Sequence, residues 1–307
     1  MSKILKTSML FVSIVLLFML VFLIPSMLIP VSKTLLERLN SEEMKMFFPL
    51  LLAVAVYISF TFWLFLNNLK VEKRGKLFLT LSIAFFLMYA LMGFLESIFW
   101  GDAFKGIETS EFVRILLRFT ITFTLFAGYL ALIAKMKPRV PNQLLEAFNL
   151  KQLGIKLLII SGIYFVLYNL FGYFVAFQFS ETRYFYTGSY ELNGFFPSMW
   201  QNISDPAFVG IHLFRGLLFG IASYLFYSIL CCSRIKKIVI LSLILGGFGF
   251  QIILPNPLFP EMVRISHFIE TTSSMMVFGA IAGFVLTCNG MRKPEVSLDN
   301  HTGIKTI

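Results

Sequence analysis

Eight runs of about twenty apolar residues constrain this chain more than any other feature. They fall near 8–30, 46–68, 77–100, 111–135, 155–178, 207–231, 236–255 and 265–288, the seventh being the shortest. A helix rises 1.5 Å per residue, so roughly 20 residues cross a hydrocarbon core of about 30 Å. The expected fold class is therefore all-α, a polytopic transmembrane helical bundle of eight spans. Composition agrees: 14% of residues are charged and 58% hydrophobic, where a soluble surface needs about 25% charge. The first run is too long for the apolar region of a secretory signal and lacks a small-x-small cleavage site, so it reads as a span.

Eight spans put both termini on one side. With that side taken as cytoplasmic, 17 of the 26 Lys and Arg residues lie on inner segments, chiefly 70–76, 135–156 and 234–237. Six lie on outer segments, and Arg114, Arg118 and Arg215 fall within spans. Basic loops stay in the cytoplasm, which sets the orientation. The expected location is an inner or plasma membrane, with both termini cytoplasmic and membrane lipids as partners. The net charge of +10 is thus topological, and no nucleic-acid partner is expected. Cys231, Cys232 and Cys288 fall at inner helix ends without metal-type spacing. Neither a resident metal nor a cofactor is expected.

The loop 136–154, with Pro138 and Pro141, divides the spans four and four. Residues 32–49, SKTLLERLNSEEMKMFFP, align without gaps to 180–197, SETRYFYTGSYELNGFFP, and match at seven of 18 positions. EFVRI at 111–115 parallels EMVRI at 261–265, each opening the fourth span of its half. A tandem repeat of four plus four spans is therefore expected, as units 1–137 and 154–290 joined by a cytoplasmic linker 138–153 and followed by a tail 291–307. An even number of spans per unit makes the repeats parallel, about an axis along the membrane normal.

The outer connection 179–206 is aromatic and sparsely charged. Trp and Tyr favour the membrane interface, so it reads either as an interfacial belt or as a lid over a site. Its Asn202-Ile203-Ser204 triplet has the form of a glycosylation sequon, which is common by chance.

Charged groups inside spans are costly and normally face a partner or a wet cavity. Counted from the outer ends at 1.5 Å per residue, Glu96, Glu270, His212, Arg118 and Arg215 lie roughly 6–12 Å deep. All therefore occupy one slab, the outer third of the bilayer. Residues three or four apart share a helix face. His267, Glu270, Thr271 and Ser274 thus form one polar stripe, His212 with Arg215 and Arg114 with Arg118 form others, and Tyr164, Tyr168 and Asn169 give the fifth span a weaker one. His267 and Glu270 are candidates for a general base and its orienting carboxylate. Arg118, Arg215, His212, Glu96, Arg114 and Arg264 are candidates for ligand binding, arginine being suited to carboxylate or phosphate. Structural ion pairs remain open for the deeper charges, and headgroup snorkelling for Arg114 and Arg264. A metal on His212, His267 and Glu270 with Glu96 is disfavoured by the nearby arginines.

No HExxH, GxSxG, Walker or Rossmann pattern occurs. Gly246, Gly247 and Gly249 lie mid-span, where glycine permits close helix packing. The stretch LPNPLFPEMVRISHFIETTSSMMVFG at 254–279, with FRGLLFG at 214–220 and FGYFVAFQ at 171–178, resembles segments of bacterial multi-pass membrane proteins to which no activity is attached. The resemblance implies a bacterial inner membrane and nothing about mechanism. The functional expectation is an outward-facing polar pocket that binds, and in one version modifies, an anionic amphiphile or lipid headgroup. A transporter of a small anionic solute and a non-catalytic receptor or assembly subunit are the alternatives.

Overall fold

A computed structural model describes residues 3–39, 41–104, 106–136 and 149–288. The expected tail 291–307 and most of the expected linker 138–153 lie outside the described residues. Among the described residues eight helices are long and apolar enough to cross a membrane. Spans one, two and four are Lys3–Leu28, Ser41–Asn67 and Thr109–Ile133. Span three runs Arg74–Phe85, a π-helical turn Phe86–Leu91, and Met92–Phe99. Spans five to eight are Leu150–Phe174, Pro206–Ile229, Arg234–Phe250 and Glu261–Thr287. Spans one, two and five each start five residues before the expected position, at Lys3, Ser41 and Leu150. Span eight begins at Glu261, so Arg264, His267 and Glu270 are helical from their first turns rather than at a frayed edge.

The principal contacts have a regular pattern. Span one packs on two and four, and span three on four; span five packs on six and eight, and span seven on eight. Across the halves, span three meets six and span two meets seven. Replacing each span of the first half by its counterpart in the second reproduces every one of these pairings.

In lipid, helices associate by close packing rather than by escape from water, so small residues mark the tightest crossings. The crossing of spans seven and eight is such a place. A Cβ on Gly249 would overlap the Thr272 backbone nitrogen, and one on Gly279 would lie 2.6 Å from the Leu241 carbonyl oxygen. Gly216 does the same between spans five and six, 2.8 Å from the Ser161 oxygen. Phe62, Phe65, Phe85, Phe126, Phe219 and Phe226 fill the centre of the bundle without exposure. Phe62 meets both Phe85 and Phe126 edge-on at 5.2 and 5.5 Å, geometries that aromatic quadrupoles favour.

The two ends differ. At the end carrying the basic loops, Leu69 and Leu230 form an isolated antiparallel bridge. The Lys70 amide donates to the Ile229 carbonyl at 3.1 Å, and the Cys231 amide donates to the Asn68 carbonyl at 2.8 Å. At the opposite end, two short helices, Ser180–Thr187 and Phe195–Ser204, succeed span five. The first stops at Gly188, whose φ of 73° is left-handed and suits a residue without a Cβ. We call this the aromatic end.

Candidate functional site

Two adjoining cavities open inside the aromatic end. The larger, of about 90 Å³, has walls from span three (Glu96, Trp100), span five (Tyr168, Asn169) and span eight (His267, Glu270). Its roof comes from the short helices, through Tyr186, Phe195, Ser198, Met199 and Asn202. The smaller, of about 20 Å³, lies against Glu96, Tyr164, Tyr168, Arg215, Glu270 and Ser274. Glu96, Tyr168 and Glu270 line both.

Local structure explains why these groups meet. Glu270 lies nine positions beyond the first residue of its helix, Glu261, and Arg215 lies nine beyond Pro206. Both therefore sit about 14 Å below their helix starts. Glu96 reaches that region from span three, three residues before the end at Phe99. The π-helical turn Phe86–Leu91 carries an extra residue per turn, which rotates the Met92–Phe99 segment and Glu96 with it. Such turns often occur near functional sites.

Arg215 Nη2 donates to Glu96 Oε2 at 2.8 Å, and the guanidinium carbon lies 5.8 and 5.7 Å from the ring centres of Tyr164 and Tyr168. The arginine is 3% exposed and its Nε has no protein partner. Glu270 is held differently. Thr271 Oγ1 donates to its Oε2 at 2.7 Å and Ser274 Oγ to its Oε1 at 3.3 Å. His267 Nδ1 stands 3.9 Å from Oε2, an ion pair only when the ring is protonated. The other ring nitrogen, Nε2, is 2.9 Å from the Tyr186 hydroxyl. Burial, then the nearby Glu96 carboxylate, pushes the Tyr186 phenol well above its usual range, so it meets His267 as a neutral phenol. On the other side of the roof, Asn202 Nδ2 donates to Asn169 Oδ1 at 2.9 Å. That amide is turned inward, so Asn202 is engaged in packing rather than displayed as a sequon.

The expected site residues therefore divide. Glu96, Arg215, His267 and Glu270 come together at the cavities, with Tyr164, Tyr168, Asn169, Thr271 and Ser274 beside them. Four expected ligand-binding residues line neither cavity. Arg118 Nε donates to the Ile29 carbonyl, and Arg114 Nη1 donates to the Pro30 carbonyl at 3.4 Å and to Glu111 at 3.3 Å. Both carbonyls lie just beyond Leu28, so these two arginines fasten the chain where it leaves span one. Arg264 is 4% exposed, and donates to Glu43 Oε1 at 3.1 Å and to the Ile253 carbonyl at 3.0 Å. It ties span eight to spans two and seven instead of snorkelling. His212 is fully buried, with Nδ1 on the Phe208 carbonyl at 2.7 Å and its ring 3.9 Å from that of Tyr168. It supports the wall from behind.

The charge at the cavities is thus two carboxylates against one guanidinium, with a histidine. Among the described residues no three His, Cys, Asp or Glu side chains are grouped to hold a metal ion. Sequence reasoning missed Tyr186, Met199 and Phe195 as lining residues; the aromatic character of 179–206 was the signal for them. No protein-family model, curated protein or solved structure matches the chain. Function is accordingly read from geometry.

Proposed function

We propose that this integral membrane protein binds the polar head of an amphiphile in the cavity roofed by Ser180–Thr187 and Phe195–Ser204. The observation that carries the reading is a cavity of about 90 Å³ that combines aromatic walls with buried ionisable groups from separate spans. Such cost in buried polarity is normally retained for a ligand or a pathway. The preference for an anionic head rests on arginines being the candidate ligand-binding residues. With Arg114, Arg118 and Arg264 engaged elsewhere, that basis is gone.

Binding is favoured over turnover because both nitrogens of His267 face protein groups, Glu270 and Tyr186. Transport is disfavoured by the closed aromatic centre: Phe62, Phe65, Phe85 and Phe226 seal the bundle between the cavity and the basic end. The basic loops support a cytoplasmic basic end, with both termini inside and the cavity opening outwards. We further propose that the halves are a parallel tandem repeat. The recurring span pairings support it, as do the reciprocal hydrogen bonds around Leu69 and Leu230.

The test uses Trp100, which lines the cavity. With Trp63 and Trp200 replaced by Phe, it is the remaining tryptophan. Decyltrimethylammonium, decylphosphocholine and decyl sulfate are titrated into the protein in maltoside micelles. At least one should change Trp100 fluorescence saturably, and Gly172→Phe, which fills the cavity, should abolish the change. Absence of saturation with all three would overturn the pocket.

A further inference from the structure

The sign of the ligand can be read from the two carboxylates, because they are not equivalent. Glu96 is matched: its partner Arg215 is 2.8 Å away and almost fully buried. Glu270 is not. It is 8% exposed, and its two oxygens receive only hydroxyl hydrogen bonds, from Thr271 and Ser274. Among the described residues no lysine or arginine stands within ion-pair distance of it. Among the described residues the basic group within 4 Å of it is His267, at 3.9 Å, which already meets Tyr186 through its other nitrogen. Arg215 lines the same smaller cavity but pairs with Glu96.

A buried carboxylate without a cation carries an uncompensated desolvation cost. Two hydroxyls reduce that cost but supply no charge. The walls that Glu270 shares are suited to completing the pair. Trp100, Tyr168, Tyr173, Tyr186 and Phe208 all line the same cavity, and the negative faces of aromatic rings attract an ammonium group. Tyr164 and Tyr168 already receive one cation, the guanidinium of Arg215. An incoming anion, by contrast, would meet the Glu270 carboxylate and find the charge of Arg215 already balanced by Glu96 at 2.8 Å.

Size narrows the ligand further. About 90 Å³ is the share of roughly three water molecules. That accommodates an ammonium or trimethylammonium group with its first carbons.

We propose that the cavity takes a cationic head, the ammonium group of an amphiphile, with Glu270 as its counter-ion and Trp100, Tyr168 and Phe208 as its aromatic walls. This rests on the pocket reading above, and the experiment separates the two. In the single-Trp100 protein, decyltrimethylammonium should bind at least tenfold more tightly than decyl sulfate, about 1.4 kcal/mol. Glu270→Gln should remove that discrimination, while Glu270→Asp should keep it in part. Stronger binding of decyl sulfate, or equal binding of both, would overturn the cationic head while leaving the pocket in place. Saturation by neither would overturn the cationic head, and saturation by none of the three amphiphiles would overturn the pocket as well. The comparison of the two amphiphiles needs no substitution at Glu270, so it decides the matter even where Glu270→Gln fails to fold.

Discussion

Arg215 on span six and Glu96 on span three are joined by a 2.8 Å charge-assisted hydrogen bond, with the guanidinium lying over two tyrosine rings of span five. Attraction is strong where water is excluded, but so is the cost of leaving one member alone. Glu96→Gln leaves a buried guanidinium without its counter-ion. Because Glu96 is 31% exposed, the loss should fall below the roughly 3–5 kcal/mol of a fully buried pair, and the double change Glu96→Leu with Arg215→Met should recover most of it. Thermal unfolding in maltoside micelles measures both. A single change as mild as the double one would mean that the pair carries little.

The seven–eight crossing predicts a contrast between two glycines. Gly249→Ala drives a methyl into the backbone at Thr272 and should cost 1–3 kcal/mol or more by overpacking, about the range seen for inserted methylenes. Gly162→Ala meets nothing within 4 Å and should be neutral or slightly stabilising through helix propensity. Equal unfolding temperatures for the two variants would contradict the close crossing.

The Leu69–Leu230 bridge is flanked by two hydrogen bonds rather than making them, the arrangement that brings opposite Cα atoms to about 4.5 Å. With Cys231, Cys232 and Cys288 replaced by Ser, Leu69→Cys with Leu230→Cys should form a disulfide under mild oxidation in isolated membranes. Failure to cross-link would remove the main contact between the halves at that end, and with it a principal support for the tandem repeat.

Orientation is open to labelling. Cys231 is exposed at the basic end, so an impermeant maleimide should reach it only after lysis. Ser189→Cys, in the roof connection and with the native cysteines replaced, should react in intact cells. Cys232 should lag behind Cys231, because burial raises its thiol and lowers the thiolate fraction. The reverse pattern at residues 189 and 231 would invert the topology.

The Tyr186–His267 contact holds the first roof helix to span eight. A phenol whose folded value is raised above 10.0 contributes stability that is fully present below pH 10 and is lost as pH rises towards its folded value. Tyr186→Phe should therefore cost about 1 kcal/mol at neutral pH and flatten the alkaline loss of stability above pH 10. Hydrogen exchange in 180–204 should rise in the same variant. Identical alkaline limbs for both proteins would contradict a buried, protonated Tyr186.

The spans were legible because an apolar run long enough to cross a bilayer leaves few other solutions, and their ends fell within about five residues of expectation. Part of the site was legible for a related reason. Charge inside a span is costly, so Glu96, Arg215 and Glu270 stood out, and the three-residue spacing put His267 with Glu270. Depth says nothing about direction around a helix, however. Arg118 shares the depth of Arg215 yet turns to the Ile29 carbonyl at the end of span one. Arg264 finds a carboxylate 221 positions away, at Glu43, a pairing that no local spacing encodes. Tyr186, uncharged and set in an aromatic loop, carried no depth signal at all.

The most direct measurement of the central claim is protection of a roof residue by a cationic amphiphile. Met199→Cys, with the three native cysteines replaced by Ser, puts a thiol on the cavity wall. Decyltrimethylammonium should slow its maleimide labelling at least tenfold, with decyl sulfate at the same mole fraction having little effect, and Glu270→Gln should abolish the protection. Labelling that is indifferent to both amphiphiles, or slowed equally by them, would contradict a cation-binding cavity at Glu270.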